Sequence, residues 1–192
     1  MRTITGLFDV YSSAKVAVSE LESAGIPSSD ISIVSREDEK DSNSAEGAGV
    51  GAGIGAAVGG AGGLLTGLGI MAIPGVGPVV AAGWLAATLT GAVGGAVVGG
   101  AAGGLIGAFT KAGVPEEDAH LYAEGVRRGG TVVTAKVPDD RYAEADAILS
   151  RSNRVDLVER RRVYTEDGWQ RFDTAAAPYT AEEVQRERSR YL

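Results

Sequence analysis

Residues 47–69 of this chain read GAGVGAGIGAAVGGAGGLLTGLG, and residues 91–110 read GAVGGAVVGGAAGGLIGAFT. Both stretches belong to a segment of 64 residues, 47–110, that contains no charged side chain and no histidine. Within it, glycine recurs at every fourth position in two rows, which are Gly47, Gly51, Gly55, Gly59, Gly63 and Gly67, and then Gly91, Gly95, Gly99, Gly103 and Gly107. Residues four apart share one face of an α-helix, so each row predicts a helix with a bare strip that another backbone can approach closely.

A turn lies in the middle of this segment at Pro74-Gly-Val-Gly-Pro78, because proline ends helices and glycine permits chain reversal. The sequence therefore predicts an apolar glycine-zipper helical hairpin over residues 47–110, with arms at 47–73 and 79–110. Roughly 20 helical residues cross the apolar core of a bilayer, so either arm is long enough to span it. The arms contain few large apolar side chains, however, which leaves open that the hairpins are buried against each other in a soluble assembly.

The flanking segments carry all the charges and read as two similar β-α-β units. The first has a strand at 3–10, a helix that Gly25 ends and a strand at 31–35; the second has a strand at 131–137, a helix at 139–150 and a strand at 155–159. A further helix begins at Pro115-Glu-Glu-Asp118, where proline and acidic residues suit the first turn. Two β-α-β units usually combine into one ferredoxin-like sheet with its helices on one face.

The predicted fold is therefore α+β. A ferredoxin-like βαβ repeat domain comprises residues 1–46 and 111–162, the glycine-zipper helical hairpin is inserted at 47–110, and a tail follows at 163–192. The predicted core residues of the sheet are Ile4, Phe8, Leu21, Ile31, Ile33, Val133, Val137 and Leu157. In the tail, Thr180-Ala-Glu-Glu183 predicts a short helix with a capping box. The aromatic side chains Trp169, Phe172 and Tyr179 are expected to dock on the domain or on a neighbour rather than bind a ligand.

Several short motifs resemble those of a known bacterial family. They are Thr3-Ile-Thr-Gly-Leu-Phe-Asp9, Ala24-Gly-Ile-Pro27, Asp30-Ile-Ser-Ile-Val-Ser35, Gly113-Val-Pro-Glu-Glu-Asp-Ala119 and Tyr122-Ala-Glu-Gly-Val-Arg-Arg-Gly-Gly130. In this order they resemble the heat-induced general stress protein family, the YflT-like domain, over roughly residues 1–160. The resemblance implies an association with stress and a non-enzymatic role, and it carries no catalytic residues over to this chain.

Composition and spacing argue against catalysis, cofactors and metals. The glycine-rich pattern Gly51-x-Gly53-x-x-Ala56 has neither a strand leading directly into it nor the acidic residue that a dinucleotide site needs. Without cysteine there is no thiolate nucleophile and no cysteine metal site. His120, the only histidine, is predicted to lie on the surface or on the flank of a helix, and the acidic residues at 37–41 read as a solvated linker. A net charge of −7 without a basic stripe argues against nucleic acid as a partner.

One basic run, Arg160, Arg161 and Arg162, is a candidate contact to lipid headgroups or phosphate. The alternative is that these arginines protect the edge of the predicted strand, or pair with tail acids such as Glu182 and Glu183. The sequence leaves both readings open.

The leading hypothesis is a stress-associated, non-enzymatic structural protein that forms a homo-oligomer through the hairpin and associates with the lipid bilayer. We expect the charged domain in the cytoplasm at the bacterial inner membrane, since the start of the chain lacks the apolar region of a signal peptide. The alternative is a soluble cytoplasmic shell, ring or filament with the hairpins buried between subunits. A third hypothesis is a small-ligand sensor that uses the sheet.

Overall fold

In the part of the chain that the structure describes, five strands form one antiparallel sheet, and the fold is α+β, as the sequence predicts. The structure is a computed structural model that describes residues 1–37, 69–86, 88–89 and 102–191. The strands are β1 (Arg2–Phe8), β2 (Ile31–Arg36), β3 (Gly69–Ile73), β4 (Gly77–Gly83) and β5 (Thr131–Val137). The longer helices are α1 (Tyr11–Ser23), α2 (Ala102–Lys111), α3 (Glu116–Arg127), α4 (Tyr142–Arg151), α5 (Leu157–Glu166) and α6 (Ala181–Arg188).

The strand order across the sheet is β1-β5-β2-β4-β3, and every neighbouring pair is antiparallel. Strand β5 therefore lies between β1 and β2, which run parallel to each other and are joined by α1. At the centre of the sheet, Ile33 of β2 stands opposite Val133 of β5 on one side and Ala82 of β4 on the other. The two strands of the first β-α-β unit, β1 and β2, are thus joined by a strand from the second half of the chain.

Helices cover both faces of the sheet. Because successive side chains of a strand point to opposite sides, neighbouring residues of one strand belong to different cores. On one face, Val133 belongs to a core that α1 and α4 cover; on the other, Val132 belongs to a core that α2 and α3 cover. The prediction that the helices lie on one face is therefore wrong for the sheet as a whole, although α1 and α4 do share a face. Seven predicted core residues are buried, namely Ile4, Phe8, Leu21, Ile31, Ile33, Val133 and Val137, and Leu157 is partly buried.

The predicted helical hairpin is wrong where the structure describes its centre, because residues 69–73 and 77–83 are strands. The turn itself lies where it was predicted: Val76 N donates to Ile73 O at 3.0 Å, and Gly75 and Gly77 adopt positive φ. The glycine rows do not extend through this stretch, and β4 satisfies its backbone groups by pairing with β2. The predicted domain limits stay a prediction, but β4 belongs to the same sheet as the flanking strands.

The end of the second predicted arm is helical, since α2 contains Gly103 and Gly107 of the second glycine row. The other row positions lie outside the described residues; they are Gly47, Gly51, Gly55, Gly59, Gly63, Gly67, Gly91, Gly95 and Gly99. None of the helices in the described ranges is both long enough and apolar enough to cross a membrane.

The strand predicted at 155–159 is also wrong, because α5 begins at Leu157. Val155 N donates to Leu7 O at 2.8 Å, but the next residue, Asp156, caps a helix by accepting hydrogen bonds from Val158 N and Glu159 N. An aspartate at this position satisfies donors that a helix start leaves open, so the chain turns away from the sheet. The second β-α-β unit consequently ends in a helix instead of a strand.

Candidate functional site: the cleft between α3 and the C-terminal strap

Helix α3 presents a polar stripe to the C-terminal part of the chain. Glu116, His120 and Glu124 are four residues apart and therefore lie on one side of the helix. The side facing the sheet carries Ala119, Ala123 and Val126 instead, which are buried in the apolar core. The helix thus separates the sheet from a layer of charged side chains.

Residues 168–179, which we call the C-terminal strap, lie across this stripe and reach the turn between β3 and β4. Trp169 packs with Leu121 and Tyr164, and Phe172 is buried in the same core as Ile73. At the turn the approach is close: a Cβ added to Gly75 would lie 2.7 Å from the carbonyl oxygen of Asp173. The prediction that the tail aromatics dock on the domain is confirmed for Trp169 and Phe172.

The end of the strap is fastened at the point where β2 ends. Arg36 Nη1 donates to Tyr179 O at 2.7 Å and to Arg127 O at 3.1 Å, while the Arg127 guanidinium lies 4.6 Å from the Tyr179 ring centre. The helix that follows, α6, has the predicted capping box between Thr180 and Glu183. The strap is therefore fastened at both ends, by Trp169 at its start and by Tyr179 at its end.

A cleft of about 760 Å³ lies between α3, α2 and the strap. Its lining residues are Ile106, Glu116, His120, Glu124, Arg127, Gly168, Trp169, Gln170, Arg171, Phe172, Asp173 and Thr174. Aromatic and aliphatic side chains meet charged groups of both signs in this lining. The cleft is therefore the candidate functional site, a concave surface in which apolar and charged side chains meet.

His120 lies in this cleft and is only 9% exposed, so of the two predicted positions it occupies the flank of the helix and not the open surface. Its Nε2 lies 3.0 Å from Arg171 Nη2 and 3.8 Å from Glu116 Oε1. Burial, and then the charge of Arg171, lower the pKa of His120, while Glu116 opposes them. Its Nδ1 and the indole nitrogen of Trp169 are buried without a hydrogen-bond partner in the described part of the chain.

A buried charge cluster closes the far end of the cleft. Glu124 is fully buried and accepts hydrogen bonds from Arg127 (Nη2–Oε1, 2.7 Å) and Arg128 (Nε–Oε1, 2.7 Å). Arg128 Nη1 also donates to Glu187 Oε1 of α6 at 3.1 Å. Although burial disfavours its charged form, the hydrogen bond and charge of Glu124 raise the pKa of Arg128. Because each of these charges has partners, the cluster fastens α6 to α3.

The structure places Arg160, Arg161 and Arg162 on α5 rather than at a strand edge. Arg160 is buried against Asp9, Arg161 Nη2 binds Asp118 Oδ1 at 2.7 Å, and Arg162 binds Glu159 and Glu166 on its own helix. Their described partners are therefore not Glu182 and Glu183. A second cleft of about 570 Å³ lies beside this run, between the start of α1 and α5, and Asp9, Arg160 and Tyr191 line it.

The chemistry available in the α3 cleft is proton binding and charge pairing. His120 can take up a proton, and Glu116 and Arg171 can each bind its ring in one protonation state. Within the described residues no group of three or more histidine and acidic side chains could hold a metal ion. No family model, curated protein or solved structure matches this chain.

The cleft was missed by sequence reasoning, although one signal for it is in the sequence. The four-residue spacing of Glu116, His120 and Glu124 indicates a continuous polar stripe on a helix whose other side is apolar. What the spacing could not indicate is the partner of this stripe. Arg171 follows His120 by 51 residues and belongs to a segment with little regular secondary structure.

Proposed function

We propose that this protein is a non-enzymatic, stress-associated structural protein that self-assembles through its uncharged segment, residues 47–110. One observation on α2 carries the proposal: a Cβ added at Gly104 or Gly107 would meet no described atom within 4 Å. Gly107 belongs to the second glycine row, so at this position the row faces no described atom. Such an open position suits close packing with another backbone.

We propose further that the assembly associates with a lipid bilayer, at the inner membrane with the charged domain in the cytoplasm. The uncharged length of residues 47–110 supports this reading. Of the three consecutive arginines, Arg162 is the best candidate for contact with lipid headgroups, because its side chain is 56% exposed, whereas Arg160 is buried.

The alternative is a soluble homo-oligomeric shell, ring or filament, and a different observation favours it. Strand β4 comes from the uncharged segment, yet its Val79 and Ala81 are buried in the core of the sheet. If other parts of the segment also pack against protein, self-assembly needs no bilayer.

The stress association rests on the motifs that resemble the heat-induced general stress protein family. Three of those motifs fall on β1, on β2 and at the start of α3. We propose that β1, α1, β2, β5 and α4 form the ferredoxin-like part of the fold. This is supported by the position of β5 between the parallel strands β1 and β2, with α1 and α4 on one face.

Replacement of row glycines tests the self-assembly. The double variant Gly55→Leu/Gly99→Leu fills both strips with bulky side chains, whereas Gly55→Ala/Gly99→Ala keeps them narrow and is the matched control. We expect analytical ultracentrifugation to show that the leucine variant no longer assembles, while its circular dichroism spectrum stays the same as that of the wild type. The alanine variant should assemble like the wild type. A monomeric wild type, or a leucine variant that assembles unchanged, would contradict the proposal.

Fractionation distinguishes the membrane from the soluble alternative. The natively expressed chain is separated into soluble and membrane fractions, and the membranes are washed with alkaline carbonate. Retention in the washed membranes supports bilayer association. A large particle that sediments without lipid supports the soluble assembly instead.

A further inference from the structure

We propose that His120 and Arg171 form a pH-sensitive latch, in which protonation of His120 transfers its ring from Arg171 to Glu116 and releases the C-terminal strap from the turn between β3 and β4. The proposal concerns the strap of a single chain, so it does not depend on self-assembly.

The closed state follows from the donors and acceptors at His120 Nε2. A guanidinium group can only donate hydrogen bonds, so the contact of 3.0 Å with Arg171 Nη2 requires Nε2 to be the acceptor. The imidazole must then be neutral and carry its proton on Nδ1. In this state His120 is one of the groups on α3 that hold the strap; Arg127 is another, and its Nη1 donates to Ala177 O at 3.1 Å.

Protonation removes the acceptor and places two cations next to each other. Nε2 then carries a hydrogen that Arg171 cannot accept, and Glu116 Oε1, 3.8 Å away, becomes the acceptor within reach. The other charged groups that line the cleft are Glu124 and Arg127 on α3 and Asp173 in the strap, while α2 contributes the apolar Ile106. Glu124 is already bound by Arg127 and Arg128, and Asp173 Oδ1 accepts from Ala175 N.

Release of Arg171 affects the turn because of its neighbours in the sequence. Phe172 is buried in the core with Ile73 and Val76, and the carbonyl oxygen of Asp173 lies against Gly75. A strap that loses its contact at Arg171 therefore loosens at the residues that cover the turn. The lowered pKa of His120 agrees with a fold that favours the neutral, closed state.

Hydrogen exchange of the strap tests the latch in the full chain. Exchange of residues 168–176 is followed by mass spectrometry at about pH 7.5 and about pH 5, on either side of the usual histidine range, with correction for the intrinsic pH dependence of exchange. We expect the protection of this segment to fall on the order of tenfold in acid, the loss expected for one hydrogen bond to a charged group. The peptide that contains β1 serves as the internal control.

The matched variant is His120→Gln, whose amide oxygen can accept from Arg171 but does not titrate in this range. We expect its strap to keep the same protection at both pH values, and Glu116→Gln to need stronger acid for release. Equal loss of protection in wild type and His120→Gln would overturn the proposal, as would a wild-type strap that does not respond to pH.

A second measurement needs no variant and covers the case in which His120→Gln fails to fold. The ring signals of His120 and the indole signal of Trp169 are followed by nuclear magnetic resonance during an acid titration. We expect both to change with one midpoint below the usual histidine pKa of about 6.5. If His120 titrates while Trp169 does not change, the latch is wrong.

Discussion

Arg160 binds both carboxylate oxygens of Asp9, with Nη1–Oδ1 at 2.8 Å and Nη2–Oδ2 at 2.9 Å. The pair joins α5 to the end of β1 across 151 positions of sequence, and the guanidinium also lies 3.6 Å from the Tyr191 ring centre. Because residues 160–162 are all arginine, the sequence does not show which of them is buried in an ion pair and which is exposed. Burial therefore gives Arg160 a role in the fold that its two neighbours lack.

Removal of this buried partner should destabilise the protein. For Arg160→Ala we expect a loss of about 3 kcal/mol in the free energy of unfolding, because Asp9 is left without its guanidinium. Arg160→Lys should lose part of this, since an ammonium cannot bind both oxygens in the same geometry. Chemical denaturation measures the change, and Arg162→Ala on the exposed side of α5 is the control, for which little change is expected. Equal stability of the Arg160 and Arg162 variants would contradict the assignment.

Two helical glycines should respond in opposite ways to alanine. A Cβ on Gly125 of α3 would lie 2.7 Å from Leu7 Cδ2, in a fully buried position, whereas Gly107 of α2 faces space free of described atoms. Gly125→Ala should destabilise by about 1–3 kcal/mol through overpacking. Gly107→Ala should stabilise the helix by up to about 1 kcal/mol. Thermal unfolding compares the two, and a stabilising Gly125→Ala would refute the close contact between α3 and β1.

Adjacent valines of β4 test the strand where the sequence predicts a helix. Val79 is fully buried in the core, and its neighbour Val80 points to the other side and is only partly buried. Val79→Ala should cost about 2 kcal/mol, and Val80→Ala clearly less, because strand side chains alternate between faces. Denaturant midpoints of the two variants provide the comparison. Loss of similar stability at both sites would argue against this register.

The turn glycines separate backbone strain from contact with the strap. Gly75 and Gly77 both have positive φ (81° and 94°), so alanine is strained at either position. Only at Gly75 would the new Cβ also collide with the strap, at 2.7 Å from Asp173 O; at Gly77 its nearest neighbour is Pro178, at 3.4 Å. We expect Gly75→Ala to increase hydrogen exchange of residues 168–176 more than Gly77→Ala does. Equal exchange would mean that the strap does not press on this turn.

Buried tyrosines should make the fold sensitive to alkali. Burial raises the pKa of Tyr11 to about 12, and it also raises the pKa of Tyr122 and Tyr164. A raised folded pKa means that the unfolded chain loses its protons first, above a pH of about 10. The stabilisation is therefore complete below that pH and is lost as the pH rises through the folded values. Near-ultraviolet tyrosinate absorbance should appear together with unfolding; full ionisation in the folded state would contradict this.

Local signals in the sequence identify the elements whose ends are set by neighbouring residues. The start of α3 after Pro115, the capping box of α6, the turn at Pro74–Pro78 and the strands β1, β2 and β5 all lie where the sequence predicts them. In each case a fixed φ, a capping side chain or a short apolar run between turn residues acts within a few positions. These features also determine that the fold is α+β.

Only the tertiary structure decided the remaining features, because they depend on partners distant in sequence. A short apolar stretch such as residues 69–83 fits a strand or a buried helix, and pairing of β4 with β2 selects the strand. His120 is buried because the strap, some 51 residues later, brings Arg171 to it. Arg160 differs from Arg161 and Arg162 because it is buried against Asp9. Sequence alone determined where α3 and α6 begin and where the chain turns at Pro74–Pro78. Burial and long-range hydrogen bonds determined which elements meet, since those energies exist only once the chain is packed.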